Sequence, residues 1–160
     1  MAIPIDFSKL GPQDILDVAS FIEHEAQERY ELFAQHLETE GERAAAAFFR
    51  RMAELEAAHG AELVGRRITR FADLPARVRD AVEWDVEGPS LDRSRVRLTV
   101  GEAVEIGIAS EERARDFYAE ALEHMVDVQV AAVLEELRED EVSHIRLLEE
   151  QGARIVQNAK

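Results

Sequence analysis

The sequence predicts an all-α protein: a four-helix bundle of two antiparallel hairpins, with a long crossover between the second and third helices. Three observations lead there. Long stretches are rich in Ala, Glu, Leu and Arg, all strong helix formers. Almost nothing alternates with the period of two that a half-buried strand requires. Gly and Pro, 8 and 4 residues respectively, are sparse and unevenly placed, so few points interrupt the helical pattern.

The first helix is expected over 12–38. Pro12 suits a first helical position, where its missing N–H leaves nothing unsatisfied. Gly41 marks a tight turn into the second helix, 42–67. The third is expected over 100–125, where Thr99 and Glu102 form the Thr-x-x-Glu signature of a capping box. Asp127 caps the fourth, 128–156. The short turns make helices one and two, and three and four, antiparallel hairpins.

The crossover, 68–98, contains Pro75, Gly88 and Pro89, with a short helix expected over 76–84. At about 3.3 Å per extended residue it is long enough to run the length of the bundle. That would leave helices two and three parallel. Its Phe71, Leu74, Val78, Val82, Trp84 and Leu91 are expected to pack on the bundle, Trp84 as an apolar plug. A single domain, 1–160, is expected, because a lone helical hairpin buries too little surface to fold by itself.

Composition narrows the function. The 160 residues are 46% hydrophobic and 33% charged, enough for a real core under a charged surface. There is no cysteine, which excludes a disulfide scaffold, thiolate-bound zinc, an iron–sulfur cluster and a thiol nucleophile. It also fits a reducing, cytoplasmic compartment. The net charge of −15 repels phosphate backbones, so no nucleic-acid partner is expected. No signal peptide is read at the N-terminus, and no membrane segment, since no run approaches about 18 apolar residues.

The informative feature lies in the stripe each helix should bury, which recurs at spacings of three and four. The first stripe reads Leu16, Ala19, Glu23, Ala26, Tyr30, Phe33, Leu37. The second gives Ala45, Phe49, Met52, Glu56, His59, Leu63. The third gives Val100, Val104, Gly107, Glu111, Ala114, Tyr118, Ala121, Met125, and the fourth Val130, Leu134, Leu137, Glu141, His144, Leu148. Each stripe is apolar except at its middle, where every helix places a Glu and two add a His one turn later.

Four buried carboxylates are costly and repel one another. Protons would neutralise them; two divalent cations, bringing +4, would do so better. Oxygen and imidazole ligands suit iron, manganese or zinc. Glu and His at i and i+3 share one helical face, so one turn offers both to a metal pair.

The halves also repeat. Glu23-x-x-Ala26-x-x-x-Tyr30 matches Glu111-x-x-Ala114-x-x-x-Tyr118, and Glu56-Ala-Ala-His59 matches Glu141-Val-Ser-His144. Both tyrosines of the chain occupy equivalent places. Taken singly, a Glu in a helix is a solvated residue, and Glu25, Glu54 and Glu112 are the neighbours that a one-residue slip would put inside instead. His24, His36 and His124 are expected to be exposed, with His24 also a candidate second-layer partner beside Glu23. The charge runs Glu135–Glu136 and Arg138–Glu139–Asp140 read as a solvated face.

One Glu from each of two helices plus Glu-x-x-His from each of the other two resembles the ferritin-like di-iron carboxylate proteins. The Glu-to-Tyr spacing, short hairpins and long crossover resemble the rubrerythrin branch over about residues 12–156. The resemblance implies two Fe ions, with Mn or Zn as substitutes. It implies Glu23 and Glu111 as terminal ligands, Glu56 and Glu141 as bridges, and His59 and His144 completing one metal each. Tyr30 and Tyr118 would then donate hydrogen bonds to ligand carboxylates.

Two departures stand out. Rubrerythrins proper carry a Cys-ligated rubredoxin-like domain, absent here. They also carry an extra Glu one turn beyond the third-helix ligand, where this chain has Ala114. The implied activity is reduction of hydrogen peroxide, or reaction with dioxygen, at an iron pair re-reduced by an external electron donor protein. The alternatives are a ferroxidase feeding iron storage or transport and a metal-free helical interaction module. A homodimer is implied by the resemblance and by the general frequency of two-fold assemblies.

Overall fold

A computed structural model of the chain describes residues 5–72, 74–76 and 97–159. Among these there are helices and no strand. Four long helices dominate: α1, Pro12–Thr39; α2, Arg43–Phe71; α3, Val100–His124; and α4, Val128–Leu147. A 3-10 turn, Phe7–Lys9, precedes α1. A π-helical turn, Leu148–Gly152, and the short α5, Ala153–Asn158, continue α4. None of these helices is long and apolar enough to cross a membrane.

Local chemistry explains the boundaries. The Gly11 N–H donates to Asp14 Oδ2 at 2.9 Å, satisfying one of the donors that α1 leaves open. Gly41, at φ 82°, ends α1 in the left-handed conformation that glycine adopts without strain. The Gly41 and Glu42 N–H groups then close back onto Glu38 O and Leu37 O, at 3.1 and 2.8 Å. Thr99 and Glu102 make the reciprocal capping box expected of them: Glu102 N donates to Thr99 Oγ1 at 3.2 Å and Thr99 N to Glu102 Oε2 at 2.9 Å. Asp127 Oδ1 accepts from Gln129 N and Val130 N at 3.1 and 3.0 Å, opening α4.

α2 runs one turn past the expected residue 67, because Arg67 secures that end. Its guanidinium donates to Asp17 Oδ1 at 2.6 Å, Ala72 O at 3.0 Å and Leu74 O at 2.6 Å. Arg70 also pairs with Asp127, tying the end of α2 to the start of α4. The expected fourth helix is not uniformly α. At Gly152 a Cβ would lie 2.9 Å from Val104 Cγ1, so the widened π turn brings bare backbone against α3.

The core has two apolar clusters. One joins the start of α1 (Ile15, Leu16), the end of α2 (Leu63), the end of α3 (Phe117, Ala121) and the start of α4 (Val130, Leu134). The other joins the end of α1 (Phe33, Leu37), the starts of α2 (Ala45, Phe49) and α3 (Val100, Ala103), and Leu148 beyond α4. Hence α1 runs antiparallel to α2 and to α3, while α2 and α3 run parallel. The chain between Ala72 and Thr99 therefore joins opposite ends of the bundle, the long crossover the sequence implied. Phe71 packs against the first cluster as expected. Leu74 does not: it is 55% exposed, held outward where Arg67 grips its carbonyl. Ala76, the first residue of the expected helix over 76–84, is not helical, and the rest of that helix and the packing of Val78, Val82, Trp84 and Leu91 lie outside the described residues.

Candidate metal centre

The two apolar clusters leave a polar layer between them, and all four helices contribute to it. Glu23 comes from α1, Glu56 and His59 from α2, Glu111 from α3, and Glu141 and His144 from α4. The four carboxylates are each no more than 2% exposed and His144 is 4% exposed. Glu54 and Glu112 face solvent and Glu25 is half-buried, so no stripe has slipped by a residue.

The structure brings the six side chains together. His59 Nδ1 lies 3.3 Å from Glu23 Oε2 and 3.7 Å from Glu56 Oε2. His144 Nδ1 lies 2.9 Å from Glu56 Oε1 and 3.5 Å from both Glu111 Oε2 and Glu141 Oε2. Glu56 thus faces both imidazoles, whose rings stack 5.3 Å apart at 14°. Glu56, Glu111, Glu141 and His144 each offer one ligand atom within 4.8 Å of the others, as do Glu56, His59 and His144.

Tyr30 and Tyr118 are fully buried and donate to carboxylates, but across the repeat. Tyr30 OH bonds Glu111 Oε1, and Tyr118 OH bonds Glu23 Oε1. Each hairpin's tyrosine therefore orients the other hairpin's Glu. Gly107 makes room for this on α3, since a Cβ there would lie 3.4 Å from the Tyr30 ring and 3.2 Å from Leu148.

Electrostatics records the strain of four acids in one core. Burial, then the Glu56 charge, raises the Glu23 carboxyl to about 7 against the nearby His59 imidazole and the Tyr118 hydroxyl. Burial and the adjacent Glu111 hold Glu141 well above the usual carboxylate range. Burial pushes Glu111 up as well, yet the neighbouring Glu141 and His144 bring it below its ordinary value. Burial would lower both histidines, but the surrounding carboxylates win, taking His59 up to about 10 and His144 higher. Burial and carboxylate charge hold both tyrosines protonated, as donors. Without metal, protons do the neutralising.

Protons do not satisfy the geometry. Glu23 Oε2, both Glu56 oxygens, Glu141 Oε2, His59 Nδ1 and His144 Nδ1 are buried without a hydrogen-bond partner. Orphaned atoms of this kind are rare in folded proteins and mark a missing ion or a functional role. Four carboxylates and two imidazoles match the charge and softness that two divalent first-row ions require, so the residues fit a metal pair.

Of the remaining histidines, His24 and His124 are exposed, as expected, but His36 is half-buried. His24 does not join the centre; its Nε2 lies 3.4 Å from Glu28 on the outer face of α1. The sequence reading missed Asp140, whose Oδ2 lies 3.5 Å from His59 Nε2. Asp140 is half-buried rather than fully solvated as its charge run suggested, and no spacing within α4 signals a partner on α2.

The rubrerythrin family model matches residues 14–151. No curated protein matches the chain significantly. Among solved structures, an uncharacterised conserved protein of Magnetospirillum magnetotacticum is 23% identical with a TM-score of 0.75, covering 94% of this chain and 97% of its own. Rhodobacter capsulatus bacterioferritin, solved with a metal-free dinuclear site and heme iron, is 22% identical with a TM-score of 0.72, covering 93% of each chain. A hypothetical protein of Pyrococcus furiosus is 21% identical with a TM-score of 0.68, covering 98% and 99%. At these identities the structures establish a shared ferritin-like fold. With the family model spanning most of its length, the chain belongs to the rubrerythrin family.

Proposed function

We propose that the protein is a dimetal carboxylate oxidoreductase. Glu23, Glu56, His59, Glu111, Glu141 and His144 would hold its iron pair within one ferritin-like domain spanning 1–160. The observation that carries this reading is the set of six buried, unpartnered oxygen and nitrogen atoms between two apolar layers. Glu56 and Glu141 are the bridging residues in this reading. Glu56 faces both imidazoles, and Glu141 sits against Glu111 while feeling the charge of Glu23. Glu23 with His59, and Glu111 with His144, complete the two sides.

Bound as Fe(II), such a pair would supply the two electrons that, with protons drawn from solvent, reduce hydrogen peroxide to water. The protein's part is to hold the ligands and keep the layer dry. Tyr118 and Tyr30, locked in the protonated form, fix one oxygen each of Glu23 and Glu111, which sets the carboxylate planes. Phe33, Phe49 and Phe117, all fully buried, help close the layers on either side. These 160 residues hold no cysteine for a thiolate-bound relay, so the electrons would come from a donor outside them.

The test is anaerobic loading with Fe(II), then stopped-flow absorbance against hydrogen peroxide and against dioxygen. Oxidation much faster with peroxide supports the peroxidase reading. Much faster oxidation by dioxygen assigns the same centre to ferroxidase chemistry instead. Glu56→Ala and Glu141→Ala are each expected to lose two-metal occupancy, and wild-type stoichiometry in both would reject the bridging assignment.

A further inference from the structure

We propose that the cleft between α2 and α4 outside His59 is the route by which metal ions reach and leave the centre, and that Arg66 is the strap across it. The inference rests on the dimetal reading above. It starts from an asymmetry. The His144 side chain is 5% exposed, whereas that of His59 is 17% exposed. Among the described residues, His59 is the one of the six site residues that is not buried.

A cavity of about 20 Å³ adjoins His59 there, with Leu63 and Leu137 as apolar walls. That is room for about one water-sized particle. Its polar lining is ordered. Asp140 Oδ2 sits 3.5 Å from His59 Nε2, on the edge of the ring away from Nδ1, which faces Glu23. Farther out, Glu62 on α2 and Glu136 on α4 face each other across the mouth. Arg66 Nη2 bridges them, at 2.5 Å to Glu62 and 2.9 Å to Glu136. Three carboxylates against one guanidinium and the His59 imidazolium still leave the mouth negative, which draws cations. The same guanidinium joins the two helices across the opening.

The internal repeat shows that this arrangement is not a by-product of building the centre. Superposing Glu141-x-x-His144 on Glu56-x-x-His59 puts Leu55 in the place of Asp140, Leu147 in that of Glu62, Gln151 in that of Arg66 and Arg51 in that of Glu136. The centre needs both halves of the repeat, yet the carboxylate-lined cleft exists on one side only.

The experiment follows Co(II) loading of the whole chain under argon by visible absorption, and removal of bound Co(II) by EDTA. Arg66→Gln is expected to speed both loading and removal by roughly three- to tenfold. The double variant Glu62→Gln/Glu136→Gln is expected to slow loading by a similar factor. Final stoichiometry should not change in either, and a charge control on the outer face of α3, Glu105→Gln, should load at the wild-type rate. The differences should shrink as salt shortens the Debye length below about 8 Å. Loading rates within twofold of wild type at full stoichiometry would remove the route while leaving the centre intact. So would rates in Arg66→Gln and the double variant that shift in the same direction. A wild-type chain that binds no Co(II) would remove the centre and the route together.

Discussion

Stripped of metal, the protein is expected to lose stability as pH rises from about 5 to about 8, opposite to the behaviour of most acidic domains, whose carboxylates are paired when folded. The cause is the polar layer. Glu23 takes up its proton near 4.5 when unfolded and near 7 when folded, so the folded state binds more protons between those values. The stability this confers is complete below the lower value and is lost as pH rises through the upper one. At about 1.4 kcal/mol per tenfold change in proton affinity, the loss is on the order of 3 kcal/mol. For a chain of this length that corresponds to a fall in Tm of about 6–12 °C. His59, raised from 6.5 to about 10, carries the same sign into the alkaline range.

Metal should reverse the trend, because ions compete with those protons and bind better as pH rises. The assay is urea or thermal unfolding across this range, with chelator and with metal. Glu23→Gln should flatten the metal-free curve below about pH 7 and abolish the metal-induced gain. Rising stability of metal-free wild type over the same range, or an unaltered slope in Glu23→Gln, would refute the claim that these carboxylates share one dry layer.

Four further outcomes are expected. Tyr118→Phe leaves Glu23 Oε1 buried without its donor and should destabilise the protein by about 1–3 kcal/mol, read by urea unfolding. Gly65→Ala meets nothing within 4 Å and should stabilise α2 by about 0.5–1 kcal/mol, whereas Gly152→Ala drives a Cβ into the stiff Val104 side chain and should cost about 1–3 kcal/mol by the same assay. Asp127→Ala removes both the N-cap of α4 and the Arg70 tie, and a lower Tm with a loss of about 1–2 kcal/mol is the expected reading.

Much of this was legible in the sequence because helices advertise their buried face. A Glu at the middle of an otherwise apolar stripe of spacing three and four has nowhere to go but inside, and four such residues at matching heights meet. Capping at Thr99 and Asp127 was equally readable, since those bonds close within three residues. What spacing could not show was anything decided between helices. That Tyr30 serves Glu111 and Tyr118 serves Glu23, each across the repeat, depends on how the hairpins dock. The end of α2 moved from 67 to 71 because Arg67 and Arg70 find partners on other segments. Asp140 looked like any solvated acid until α2 placed His59 beside it. The π turn at Leu148–Gly152 answers to Val104 on α3, a contact with no trace in the spacing of α4.

The most direct test is iron analysis of anaerobically loaded protein together with anomalous diffraction at the iron edge. Two ions per chain, both bounded by Glu23, Glu56, His59, Glu111, Glu141 and His144, is the expected result. A single ion, or ions bound only at surface carboxylates while the six interior groups stay proton-neutralised, would contradict it.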